Sequence, residues 1–120
     1  MSLPDMPRPY WVGVTLQAQE QIREIARYIA VELATPNTAL RIIDMLDGAF
    51  LSLSNLPHRI ALTEEEPWRS YGIHKMYVKG FFVYFWIDEE ASRVHVTAVI
   101  YGKRNQEQLL SRMSMDEGRL

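Results

Sequence analysis

The chain contains no cysteine and only three histidines. The missing cysteine excludes a disulfide framework, a cysteine-based metal site and a cysteine nucleophile. His58, His74 and His95 are too widely scattered to match the ligand spacing of a zinc site. We therefore expect no metal site and no cofactor, and we assign no role to His58 or His95.

A segment long enough to cross a membrane is also missing. The longest apolar run covers residues 81–87, whereas a bilayer-crossing helix needs roughly 20 apolar residues. Residues 1–9 are rich in proline and lack the apolar stretch of a signal peptide. These absences predict a cytoplasmic protein without membrane contact.

Positive charge is not in surplus either. Thirteen Lys and Arg residues face 15 Asp and Glu residues, which gives a formal net charge of −2. This balance argues against a general binder of nucleic acid or of another polyanion.

The composition that remains is that of one folded domain. The chain has 120 residues, of which 48% are hydrophobic, enough for a single modest core. We predict a flexible N-terminus over residues 1–9, one domain over residues 10–113 and a frayed C-terminus over residues 114–120.

Apolar periodicity predicts a strand followed by two helices. Residues 10–16 alternate and are rich in β-formers, which indicates a strand. Residues 17–33 and 36–54 then repeat apolar side chains at helical spacing, with Leu33 on the predicted buried face of the first helix. Between them, Thr35 is a good N-cap and Pro36 suits the first helical position. So short a connection predicts an antiparallel αα-hairpin.

Three further strands are predicted in the C-terminal half, over residues 73–78, 81–87 and 93–101, and a short helix over residues 105–113. The turn at Lys79-Gly80 joins the first two strands. The middle strand is apolar on both faces, which predicts a central strand covered on both sides. One of its side-chain rows is core, and the other is either a stacking platform for bases or a surface covered by a partner. The predicted fold class is α+β: an N-terminal strand, an αα-hairpin and an antiparallel three-stranded meander in a small twisted sheet.

This order of elements, together with five short segments, resembles the RelE/ParE superfamily of toxins from type II toxin–antitoxin (plasmid stabilization) systems. Residues 26–30 with 36–43 resemble the family's helix pair, and residues 96–105 resemble its closing strand with a basic end. The other similar segments are Leu56-Pro57-His58-Arg59, Gly72-Ile73-His74-Lys75-Met76-Tyr77-Val78 and Gly80-Phe81-Phe82-Val83-Tyr84-Phe85-Trp86-Ile87-Asp88.

The resemblance implies a set of functional residues. Cleavage of mRNA by a 2′-hydroxyl needs a group that takes its proton and positive charge that stabilises the phosphate. By position, Arg104, Lys75 and His74 are the implied catalytic residues. Lys103 and Tyr101 are the implied nucleic-acid contacts.

Two positions depart from the RNA-cleaving members. Phe82 stands where those members usually have arginine, and Leu110 stands where one subgroup has a catalytic tyrosine. The resemblance therefore leaves the chain's status as an enzyme open.

Three functions follow from the resemblance and stay open at this point. The chain is a growth-arresting toxin that cleaves mRNA on the ribosome, a ParE-like toxin that blocks DNA gyrase without catalysis, or a degenerate, non-toxic member that only binds an antitoxin. The toxin readings imply a cognate antitoxin, encoded by an adjacent gene, that covers the αα-hairpin by groove docking and the sheet edge by strand addition. Without it, the isolated chain is expected to be prone to self-association.

Overall fold

The computed structural model describes residues 9–102 and 110–113. The first strand, β1, covers Trp11–Val14 and leads directly into the first helix, α1, over Leu16–Arg27. Thr15 begins α1 because its hydroxyl accepts a hydrogen bond from the Ala18 N–H at 3.2 Å. A π-helical turn over Tyr28–Glu32 continues α1, and the second helix, α2, covers Pro36–Ser52.

The π-helical turn changes which side chains the end of the first helix buries. Ile25 and Ile29 are buried as their spacing predicts, but Leu33 is 51% exposed. The prediction that Leu33 belongs to the buried face is therefore wrong, because the wider π turn breaks the α-helical spacing.

The link between the two helices lies where it was predicted, but the Thr35 side chain does not make the predicted capping hydrogen bond. Pro36 is the first residue of α2, as predicted. The Thr35 hydroxyl makes no capping bond to α2 and donates instead to the Ile29 carbonyl at 2.9 Å. The predicted side-chain cap is therefore wrong, and Thr35 closes the preceding turn.

The remaining elements form the meander. A 3₁₀ turn covers Pro57–Arg59, and the strands are β2 over His74–Val78, β3 over Phe81–Asp88 and β4 over Arg93–Tyr101. The sheet order is β1-β4-β3-β2. β1 lies parallel to β4, while β3 is antiparallel to both β2 and β4. The sheet thus has four strands because β1 adds to the predicted three-stranded meander.

The two faces of the sheet carry separate apolar clusters. On the helix face, which we define as the side that packs against α1 and α2, Phe81, Val83 and Phe85 of β3 join the main core. On the second face, Tyr84 packs with a smaller cluster whose other members are Ile73, Ala98, Ile100, Leu110 and Met113, with Trp68, Phe82 and Trp86 packed against it. β3 is therefore a central strand covered on both sides, as predicted.

The second face is covered to a large extent by this chain itself. Trp68 and Ile73 from the α2–β2 connection, with Leu110 and Met113, pack over its middle. Of the two alternatives for this aromatic row, an open stacking platform is therefore wrong for the middle of the face. A bulge in β4 supports the covering segment, because the extra residue Thr97 directs its hydroxyl to the Met113 sulfur at 2.9 Å.

Several predictions fall outside the described residues. These are the frayed C-terminus over 114–120, most of the short helix over 105–113 and all but residue 9 of the flexible N-terminus. Within the described part of the chain, no helix is long and apolar enough to cross a membrane.

Candidate functional site

His74 lies on the helix face of β2. Its ring stacks on Phe85 with centroids 5.0 Å apart and an interplanar angle of 9°. Its Nδ1 lies 2.7 Å from the Ile60 carbonyl oxygen, so that nitrogen carries the proton when the ring is neutral. One ring nitrogen is therefore already engaged with the backbone, and the ring is part of the packing.

Lys75 lies on the second face, because successive side chains of a strand point to opposite sides. Its amine is 2.7 Å from Glu65 Oε1 and 4.3 Å from the centroid of the Phe82 ring. Glu65 also accepts a hydrogen bond from the Thr63 hydroxyl. About a quarter of the Lys75 side chain is exposed. Its positive charge is paired with the carboxylate of Glu65.

Tyr101 ends β4 on the helix face, where its ring lies 5.0 Å from that of Phe81. Phe81 and Phe85 are the β3 partners of Tyr101 and His74, so about 13 Å of strand separates the two side chains. The structure therefore does not bring His74, Lys75 and Tyr101 together. Lys103 and Arg104 lie outside the described residues.

The two positions that depart from RNA-cleaving relatives are both apolar packing positions here. Leu110 is 2% exposed in the second-face cluster, and the Phe82 ring packs against the same cluster. Arginine at position 82 or a tyrosine hydroxyl at position 110 would have to displace these apolar contacts.

A cleft at the end of the β2–β3 hairpin was missed by the sequence analysis. It has a volume of about 470 Å³. Its lining residues are Tyr77, Lys79, Gly80, Phe82, Tyr101 and Gly102. Alternation along β2 could have indicated it, because Tyr77 pairs with Phe82 and must share its face.

Apolar side chains are also exposed around the link between the two helices. Val31, Leu33 and Leu40 are each at least half exposed. These three residues, which we call the hairpin patch, belong to the π turn, the link and the first turns of α2.

A polar surface cluster joins three segments through Tyr10, His58 and Glu89. Glu89 accepts a hydrogen bond from the Tyr10 hydroxyl at 2.9 Å and pairs with His58 Nε2 at 2.5 Å. The hydrogen bond to Glu89 raises the pKa of Tyr10, because it favours the protonated phenol. His58 and Glu89 are more than half exposed, so the cluster is a surface contact. In the described part of the chain no three His, Asp or Glu side chains are grouped as metal ligands would be.

Comparison with known proteins gives relatives of this fold. No curated protein matches the chain. The toxin–antitoxin complex RelBE2 from Mycobacterium tuberculosis contains a chain with 20% identity and a TM-score of 0.57, and the match covers 81% of this chain and 95% of that one. The chromosomal ParDE toxin–antitoxin system from P. aeruginosa contains a chain with 15% identity and a TM-score of 0.64, with coverage of 78% and 97%.

These structural matches confirm the predicted RelE/ParE-like fold. The sequence itself matches, over residues 12–106, the family model described as the ParE toxin of the type II toxin–antitoxin system parDE. That match runs from the second residue of β1 to residues beyond β4, so it includes both helices and all of β2, β3 and β4. The chain therefore belongs to the ParE toxin family of type II toxin–antitoxin systems.

Proposed function

We propose that this toxin arrests growth by binding DNA gyrase without catalysis, and that a cognate antitoxin holds it inactive. The observation that carries the proposal is the position of the two described catalytic candidates. His74 and Lys75 lie on opposite faces of β2. His74 Nδ1 is engaged by the Ile60 carbonyl and the Lys75 amine by Glu65. A general base and a phosphate-binding cation must reach the same substrate atoms, so this pair does not form one catalytic centre.

The alternative is ribosome-dependent mRNA cleavage, and the Gly102-Lys103-Arg104 sequence favours it. On that alternative, Arg104 stabilises the charge on the phosphate, and Arg104→Ala abolishes growth arrest. A gyrase-binding toxin has no such dependence on a transition-state cation.

The antitoxin contact is better suited to a helix than to an added strand. The first part of the outer edge of β2 is already occupied, because Lys75 N–H donates to the Ala61 carbonyl at 3.2 Å and Leu62 bridges to His74. The outer edge of β1 is bounded at its start by the bond from Tyr10 N–H to the Ser54 carbonyl. The hairpin patch, in contrast, offers exposed apolar side chains of the kind that an amphipathic helix covers.

The first experiment expresses the chain from a tightly controlled promoter and follows DNA and protein synthesis by pulse labelling. We expect early loss of DNA synthesis, with protein synthesis declining later. Rapid loss of protein synthesis before any effect on DNA would refute the gyrase assignment in favour of mRNA cleavage. Unchanged growth would refute both toxic mechanisms.

A purified supercoiling assay with gyrase then tests the target directly. The wild-type chain and the Arg104→Ala and His74→Gln variants should inhibit supercoiling to a similar extent, because neither side chain takes part in chemistry under this proposal. A helix-surface variant, Arg23→Gln, serves as the matched control, since Arg23 pairs only with its exposed neighbour Glu20 among the described residues. Selective loss of inhibition in Arg104→Ala alone would contradict a mechanism without a critical cation.

A further inference from the structure

The cleft at the end of the β2–β3 hairpin is lined by aromatic side chains and one lysine. Tyr77 is 66% exposed, and its ring lies 5.5 Å from that of Phe82 at a tilt of 57°. The volume of about 470 Å³ lies within the range of roughly 300–1,000 Å³ that is usual for ligand sites. Rigid, exposed tyrosine beside a pocket is typical of the few residues that dominate protein–protein affinity.

A backbone contact holds one side of the cleft together. The Gly102 N–H donates to the Gly80 carbonyl at 2.8 Å, which ties the end of β4 to the hairpin turn. A Cβ at position 102 would lie 3.0 Å from that carbonyl and 3.1 Å from Phe82 Cε2, so a larger residue there would push the carbonyl or the ring away by a few tenths of an ångström. The Lys75 amine, 4.3 Å from the centroid of the Phe82 ring, is a further contact on that ring.

The charge in the cleft suits a single carboxylate. Lys79 is exposed and makes no ion pair with the other residues in 9–102 and 110–113. The nearby Lys75 is already balanced by Glu65. Nucleic acid is held by rows of cations on successive phosphates, whereas the described residues of this cleft offer one free ammonium, on a chain of net charge −2. An aromatic side chain flanked by an acidic residue matches both the rings and the lysine.

We propose that this cleft is the docking pocket for an aromatic side chain in an acidic segment of the antitoxin. This inference rests on the proposed function only in naming the antitoxin as the partner. The aromatic side chain packs against Tyr77 and Phe82, and a neighbouring carboxylate pairs with Lys79.

The test measures binding of short labelled peptides to the purified full-length chain by fluorescence anisotropy. The probe is Asp-Glu-Trp-Asp-Glu, and its controls are Asp-Glu-Ala-Asp-Glu, Lys-Lys-Trp-Lys-Lys and pentathymidylate. We expect the acidic tryptophan peptide to bind at least five-fold more tightly than each control. Tyr77→Ser and Lys79→Gln should each weaken its binding at least five-fold.

Tyr71→Ser is the matched control variant, because Tyr71 is another exposed tyrosine, at 53%, outside the cleft. It should leave peptide binding unchanged. Tighter binding of pentathymidylate would assign the cleft to nucleic acid and overturn the proposal. Equal binding of the alanine peptide, equal loss in Tyr71→Ser, or no binding of the tryptophan peptide would overturn it as well. The gyrase proposal is judged separately by pulse labelling, so the two fail in different experiments.

Discussion

Tyr84 carries a buried hydroxyl group that no described residue partners. The side chain has no exposed surface, and none of the described residues forms a hydrogen bond with its oxygen. Leaving a buried polar group unsatisfied costs about 1–3 kcal/mol, while replacing it by an apolar group of the same shape removes that penalty. We therefore expect Tyr84→Phe to raise the free energy of unfolding by about 1 kcal/mol at pH 7.

The same substitution should change how stability depends on pH. Burial, and to a smaller extent the charge of Glu65, raises the pKa of Tyr84 above its usual value of 10.0. Above that pH the unfolded chain releases the phenol proton and the folded chain retains it. The titration of this group therefore leaves the free energy of unfolding unchanged below pH 10. Above pH 10 it lowers that free energy by about 1.4 kcal/mol for each pH unit.

The assay is urea unfolding of the wild type and of Tyr84→Phe at pH 7 and pH 11. The advantage of the variant should be about 1.4 kcal/mol larger at pH 11 than at pH 7, since the other tyrosines are common to both proteins. Tyr77→Phe is the control, because its hydroxyl belongs to a side chain that is 66% exposed, and its stability should stay within about 0.5 kcal/mol of the wild type. A Tyr84→Phe variant less stable than the wild type would show that the hydroxyl is bonded, and the reasoning would fail.

Five other substitutions test the fold by the same unfolding assay. Thr15→Ala removes the cap of α1 and should cost about 1 kcal/mol, and no change would show that the 3.2 Å contact contributes nothing. Gly102→Ala should destabilise by about 1–3 kcal/mol through overpacking, whereas Gly48→Ala, in open space within α2, should stabilise by up to about 1 kcal/mol. Leu46→Ala in the core should cost about 2–5 kcal/mol, while Leu33→Ala should stay within about 0.5 kcal/mol, and equal losses would contradict the exposure of Leu33.

Periodicity predicted the elements well because their apolar spacing is regular. The prediction for β4 has the bounds that the structure gives, and the predictions for α2 and β3 differ by only one or two residues at one end. The end of the first helix was less predictable. Leu33 fits an α-helical repeat, but the chain forms a π turn over the preceding residues. A π turn contains one more residue than an α turn, and the spacing of apolar residues does not reveal that extra residue.

The faces of β3 were harder to assign than its bounds. Apolar residues on both sides give no direction, so the sequence left open which row is core and what covers the other. What covers the second face depends on contacts between segments that are distant in sequence. Trp68 precedes β3 in the chain and Leu110 follows it, and both pack on the second face. The bulge at Thr97 also shifts the alternation within β4, and no local signal predicts it.

The relation between His74 and Lys75, in contrast, was available from the sequence. Two consecutive residues of a strand cannot direct their side chains to one substrate, unless a bulge intervenes, and the β2–β3 register is continuous there. The family resemblance assigned a role to each position separately, and the alternation of the strand separates them in space. The second face, where Phe82 and Leu110 replace the residues of RNA-cleaving relatives, is packed by apolar contacts within the described chain. At the hairpin end, an exposed tyrosine lies beside a lysine that makes no ion pair with the other described residues, and exposed tyrosine is typical of a surface that binds a protein.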